Sequence, residues 1–245
     1  MAIFDVHSFL GGSYIPGISH NGASVNGIIQ ARQIESTLLL SAHARHIDPV
    51  SGNRILKATV EQNPNLYGCL VTHTNRIEAS ISVMRELMTN RKFLAMAIVG
   101  THENEPVQHI VADDIINAYR RYGKPLFLFA HNAAMVTTVL EIAKTFNMLK
   151  IVMVGMGGHD WRNAIAAAHE TTNIYLDTSG VLDQAKLPAA IEAIGAHRIL
   201  FGSGSPHVDP VAALGLIDEC GLAPETRRRI LHDNAIKVFG LDQAV

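Results

Sequence analysis

A chain of 245 residues with 48% apolar and 17% charged side chains has material for a sizeable core, in one large domain or two small ones. A formal charge of −2, with no aromatic residues interleaved among the basic ones, offers no surface for nucleic acid or anionic lipid. The opening MAIFDVH has no basic leader and no apolar run approaches the ~20 residues of a membrane span, so no membrane association and a cytoplasmic location are expected.

Short apolar runs at 2–7, 37–41, 66–71, 93–99, 125–131, 150–155, 173–178 and 197–202 read as strands. Their near-continuous hydrophobicity points to a parallel sheet covered on both faces. Helical periodicity fills the intervals near 23–35, 53–62, 75–90, 106–121, 133–147, 161–170 and 184–194, then near 209–220 and 224–238. Pro106 and Pro224 stand at expected helix starts and Gly123 at an expected helix end. Eight such units predict an α/β fold, a (β/α)8 TIM barrel in a single domain. No linker or low-complexity run divides it. An open doubly wound sheet would need a glycine-rich phosphate turn after the first strand, and HSFLGGS lacks that spacing. Cys69 and Cys220 lie in apolar segments and are expected as buried free thiols of a reducing compartment.

Barrel active sites are built from the loops after the strands. Of the 13 histidines, His7, His43, His73, His102, His131, His159 and His207 fall at or just beyond a predicted strand end. Imidazole there suits metal binding or proton transfer.

Several stretches resemble the amidohydrolase superfamily, in particular its branch of aromatic-acid decarboxylases and lactonases. FDVHSFLG resembles the Asp-x-His-x-His opening; PLFLFAHN, KIVMVGMGGHDW and NIYLDTSG resemble the fifth, sixth and seventh strand segments. HRILFGSGSPH is similar to the eighth-strand motif Arg-Ile-Leu-Phe-Gly-Ser-Asp-x-Pro, and ILHDNAIKVFGL to the closing helix. The resemblance runs from residue 4 to 241 and implies a small-molecule hydrolase or lyase of decarboxylase or lactonase type, acting at the C-terminal face of the barrel. It also implies a metal held by five positions. His7 and His131 match two of them, whereas Phe9, Gly155 and Gly204 stand at the other three and carry no donor.

A catalytic zinc normally takes three protein ligands, so the usual metal set is not expected and no cofactor is called for. Three readings are open. In one, a divalent metal such as zinc is held by His7 and His131 together with a relocated ligand from His73, His102, His159 or His207. In the second, the site is metal-free: His7 and His131 are acid or base, complemented by His102, His159, Asp160, His207 or Asp177. The turns GMGGHDW and GSGSPH, with Gly155, Gly157, Ser203, Gly204 and Ser205, would then offer backbone amides to a small anionic substrate. In the third, the barrel is non-catalytic and binds a ligand or a partner subunit, with homo-oligomerisation left open. Arg76 and His73 are candidates to hold an acidic group, and Trp161 to close over a ligand. Asp5 shares strand parity with His7 and is expected to point inward. The run RRR at 227–229 reads as a solvated or subunit-facing surface. A cavity joining His7, His131 and His102 would favour catalysis; one plugged by Phe9 would favour the third reading.

Overall fold

All eight predicted strands form, in order. The computed structural model describes residues 2–12, 17–102 and 104–243. The strands are β1 (Phe4–Gly12), β3 (Ser36–Ser41), β4 (Leu66–His73), β5 (Phe93–Val99), β6 (Leu126–Phe129), β7 (Ile151–Val154), β8 (Ile174–Asp177) and β9 (Ile199–Leu200). A strand that the pattern did not predict, β2 (Ser19–His20), pairs antiparallel with the end of β1. The sheet order is β2-β1-β3-β4-β5-β6-β7-β8-β9, and every pair from β1 to β9 is parallel. The chain is thus a single α/β domain around a curled, mostly parallel sheet. Beyond β9 the segment 201–205 meets β1. The Val6 amide donates to the Phe201 carbonyl (2.9 Å), the Gly204 amide to His7 (2.8 Å) and the Phe9 amide to Ser205 (2.7 Å).

Helices cover the sheet: α1 (Gly22–Arg32), α2 (Ala42–His46), α3 (Pro49–Glu61), α4 (Ile77–Leu87), α5 (His109–Tyr119), α6 (Ala133–Thr145), α7 (Trp161–Glu170), α8 (Lys186–Ile194) and α9 (Pro210–Glu219). The final helical stretch is α10 (Pro224–Arg228), a π segment Arg229–Asp233 and α11 (Asn234–Phe239). Pro224 does open its helix, but Pro106 does not: α5 starts only at His109. The short α2 escaped prediction because five residues are too few to show periodicity. At the N-terminal ends of the strands, Phe4 stacks on Tyr67 (5.8 Å) and lies tilted against Phe239 (5.6 Å), which stacks on Phe127 (6.3 Å), filling the end opposite the strand C-termini.

The parity expected for β1 fails, and a bulge is the reason. Asp5 pairs with Thr37 and Ser8 with Leu39, so β1 carries one residue more than β3 between them. Asp5 and Ser8 consequently share one side, lining a narrow gap beneath α1, while His7 and Phe9 face the strand-end cavity. Asp5 accepts from the amides of His7 and Ser203 and the hydroxyls of Ser8 and Ser203, at 2.6–3.1 Å. It is a buried clamp between β1 and the segment after β9, not an inward-facing group of the site. Burial pushes its carboxyl above the usual range, against those hydrogen bonds.

One close approach places α2 against α3. A Cβ on Gly52 of α3 would lie 2.2 Å from the Ala44 amide nitrogen and 2.5 Å from its Cα. Asn53 beside it ties α3 to β4, donating to the Pro49 and Val71 carbonyls and accepting from the Val71 amide. Neither backbone can yield alone. Gly52→Ala is therefore expected to lower stability by about 3 kcal/mol or more through overpacking, read from the urea midpoint at unchanged m-value.

Candidate active site

At the C-terminal end of the sheet lies a cavity of about 540 Å³ lined by His7, Phe9, Arg45, His46, Asn104, Phe129, His131, Ser179, Gly180, Gly204, His207 and Val208. It adjoins a second cavity of about 220 Å³ that contains His73, Asn75, Arg76, Thr101, His102 and Glu105. Arg45, His46 and Phe129 border both.

His7 is held by its Nδ1 side. That nitrogen lies 3.0 Å from Ser179 Oγ and 3.2 Å from Asp177 Oδ2. The Ser179 hydroxyl donates to Asp177 Oδ1, so its oxygen is left to accept from His7, which places the proton on Nδ1. The other ring nitrogen, Nε2, is buried and has no hydrogen-bond partner among the described residues. Asp177 is fully buried and also accepts from the Gly155 and Ser179 amides (3.0 Å each). Burial pushes its carboxyl up, but His7, Ser179 and the Gly155 amide outweigh this and hold it below the usual carboxylate range. The result is an ionised carboxylate orienting the imidazole of a residue that lines the cavity, with Nε2 left unpartnered among the described residues.

The remaining predicted residues divide. His131 and His207 join His7 in the larger cavity; His73 and His102 lie in the smaller one. The cavity expected to join His7, His131 and His102 is therefore split by Arg45, His46 and Phe129. Phe9 lines its wall rather than plugging it, 5.0 Å from the His7 ring and 5.2 Å from that of His207. His73 Nε2 is bonded to the Ala44 carbonyl (3.0 Å), and burial lowers its pKa. Arg76 pairs with Asp48 (2.8 Å).

His159 is exposed on a 3-10 turn and lines neither cavity. Asp160 accepts from the Ala133 amide at the start of α6, and His43 bonds Ser51. Trp161 is helix packing rather than a lid: it is buried, and its indole donates to Asp183 (2.9 Å).

The expected amide donors are also occupied. The amides of Gly155, Gly157, Ser203, Gly204 and Ser205 bond Asp177, Ala130, Asp5, His7 and Ser203 respectively. The turns serve the fold, since Gly155, Met156, Gly157 and Gly158 all take positive φ to wrap the His131 backbone and ring. The triple arginine is absorbed by ion pairs of Arg227 with Asp218, Arg228 with Asp233 and Arg229 with Glu225. Both cysteines are free; Cys69 is buried as expected, whereas Cys220 is partly exposed. No helix among the described residues is long and apolar enough to cross a membrane.

The donors present do not fit the metal that the resemblance implies. A side chain at Gly155 would start 2.7 Å from His131 Nδ1, so a histidine there would require the His131 ring to move from its present place. Gly204 has φ +72°, where an L residue is strained, and Phe9 offers a phenyl ring. Among the described residues no group of three or more histidines, cysteines or carboxylates is placed to hold a metal ion.

Sequence reasoning missed Arg45, His46 and Ser179. The first two follow β3 by only four and five residues, a signal hidden because α2 was unrecognised. It also missed Lys186, which is 1% exposed and donates to the Thr178 (2.8 Å) and Ser179 (3.2 Å) carbonyls, bracing the turn that carries Ser179. Burial pushes its pKa down from 10.5 to about 8, against the charges of Asp177 and Asp183. The unfolded chain thus binds more protons across that window, and the cost of burying the ammonium is relieved as pH rises. Wild type should gain up to about 3 kcal/mol relative to Lys186→Met between pH 8 and 10.5, measured by urea unfolding below and above the window.

Solved structures share this fold. A 2,6-dihydroxybenzoate decarboxylase from Rhizobium superposes with a TM-score of 0.80 at 15% identity, covering 98% of this chain and 99% of that one. A dihydroxybenzoic acid decarboxylase from Polaromonas sp. JS666, with bound manganese and 2-nitroresorcinol, gives 0.79 at 15% identity over 98% and 97%. A probable 2-pyrone-4,6-dicarboxylic acid hydrolase from Acinetobacter baumannii with citric acid bound gives 0.76 at 13% identity over 98% and 100%. The search of curated proteins gave no match. The family model described as Amidohydrolase matches residues 49–241, which include β4 to β9 and every segment resembling the later strand motifs. On that match the chain belongs to the amidohydrolase family.

Proposed function

We propose that this family member is an enzyme that acts on a small anionic molecule in the larger cavity, by proton transfer at His7 and without a divalent metal. The observation that carries this reading is His7: it lines the cavity, its Nε2 is buried and unpartnered among the described residues, and its ring is oriented through Nδ1 by Ser179 and Asp177. An imidazole in that tautomer accepts a proton at Nε2 and returns it, while the adjacent carboxylate stabilises the transient imidazolium. His131 and His207, which line the same cavity, are assigned to contact the substrate.

Both chemistries named for the similar structures, decarboxylation of a hydroxybenzoate and hydrolysis of a pyrone dicarboxylate, require a proton to be delivered or removed at one position. A decarboxylase reaction places that proton on the carbon that loses carbon dioxide; a hydrolase reaction takes it from the attacking water. We favour the decarboxylase or lactonase type because those are the reactions named for the similar structures. We also read the curled sheet as a closed (β/α)8 barrel, supported by the three hydrogen bonds between β1 and residues 201–205.

The test is a turnover screen of hydroxybenzoic acids and pyrone carboxylates with untagged protein, with and without chelator. Turnover is expected to survive chelation and to fall by about 100-fold or more in His7→Ala and in Asp177→Asn. Zinc, manganese or iron is expected well below one ion per chain, equally in wild type and in His7→Ala/His131→Ala. Stoichiometric metal that disappears in the double variant, or activity abolished by chelator, would overturn the metal-free mechanism. Ligand binding with no turnover across the panel would instead identify a non-catalytic barrel.

A further inference from the structure

A buried ammonium lies outside that mechanism. Lys186 is the first residue of α8, is 1% exposed and lines neither cavity of the site. Its Nζ reaches back to the turn after β8 and donates to two consecutive carbonyls, those of Thr178 (2.8 Å) and Ser179 (3.2 Å). Neither carbonyl has another donor among the described residues. The peptide that joins Thr178 to Ser179 is therefore gripped at both ends by opposite charges. Its carbonyl takes the Lys186 ammonium, and its amide donates to Asp177 Oδ1 (3.0 Å). The next residue, Gly180, has φ +90° and passes so close to the Gly155 carbonyl oxygen that a Cβ would lie 2.8 Å from it. The Ser179 hydroxyl, carried by this clamped peptide, donates to Asp177 and lies 3.0 Å from His7 Nδ1. Burying an ammonium is costly, and an apolar side chain of similar length would fill the space without that cost. Such a side chain would, however, leave both carbonyls without a donor and one end of the peptide unheld.

We propose that Lys186 is a positioning residue of the proton-transfer site. With Asp177 it clamps the Thr178–Ser179 peptide, which keeps the Ser179 hydroxyl between Asp177 and His7 and so keeps the ring proton on Nδ1. It touches neither the cavity nor the ring, and acts through Ser179 alone. This rests on the reading of His7 as the group that transfers the proton.

Two readouts test the assignment in wild type, Lys186→Met, Ser179→Ala and the double variant. The first is the nitrogen NMR spectrum of the neutral His7 ring, assigned by its absence in His7→Ala, and it needs no substrate. Wild type is expected to show one protonated and one unprotonated ring nitrogen. Lys186→Met and Ser179→Ala should each bring the two signals together, as a mixture of tautomers does. The second readout is turnover of whichever carboxylate the screen identifies. Lys186→Met should lower kcat about tenfold or more with KM within about twofold of wild type. Once Ser179 is alanine it should cost less than about twofold more, because both losses pass through one hydroxyl. If Lys186→Met does not fold, Lys186→Gln, shorter and uncharged, replaces it with the same expectations. The proposal is overturned if the His7 signals keep their wild-type separation in the Lys186 variant, if its loss is confined to KM, or if the two losses multiply in the double variant. Converged signals in that variant, with no turnover by wild type across the panel, leave this inference standing and sink the enzyme reading. Turnover that depends on His7, with signals and kcat unmoved by the Lys186 change, does the reverse.

Discussion

The site depends on one buried carboxylate. Asp177 ends β8 with no exposed surface, and it receives the amide of Gly155 after β7 and the amide and hydroxyl of Ser179, with the His7 ring of β1 at 3.2 Å. Strands far apart in sequence are thus bound together at the level where the cavity opens. Isolated in this position the charge would be strongly unfavourable; surrounded by donors it stays ionised. The same donors that stabilise it also fix the imidazole ring, so orienting His7 and satisfying Asp177 are one event.

The architecture was legible because it is written in hydrophobicity. Runs such as LYGCLV, FLAMAIV and KIVMVG are buried on both faces, and nothing but a covered parallel strand suits them. The candidate site was legible only in part. His7, His131 and His207 were found by position after strands, and the pattern held where the chain leaves its strand directly into the cavity. It failed for His159, because four consecutive positive-φ residues turn the chain back toward His131 and leave the histidine outside. It failed for Asp5 because a bulge changes side-chain parity without leaving a mark in composition. Arg45 and His46 stayed hidden since their helix is only five residues long. Backbone irregularity, in each case, decided which side chains meet.

The glycines of the two later turns illustrate how one residue type serves opposite expectations. From sequence, glycine at 155 and 204 suggests open space and free amides. Gly155 is instead crowded, with His131 packed where its side chain would be, whereas Gly204 has only the Ser179 Cβ at 3.7 Å and does leave room. The amides of both are satisfied within the protein. Room in this cavity therefore comes from the Gly204 side, and its polarity comes from imidazole and guanidinium groups rather than from backbone.

The single extra residue in β1 has a consequence for how such a site changes over time. Because side chains alternate along a strand, removing one residue between Asp5 and Ser8 would exchange the faces of the residues on one side of the deletion relative to the other. The clamp and the imidazole could then no longer keep their present sides, one toward the helices and one toward the cavity. No substitution at His7 or Asp5 is needed to lose the arrangement; a one-codon deletion suffices. The chemistry at this end of the sheet is inherited as a length of backbone as much as a set of residues.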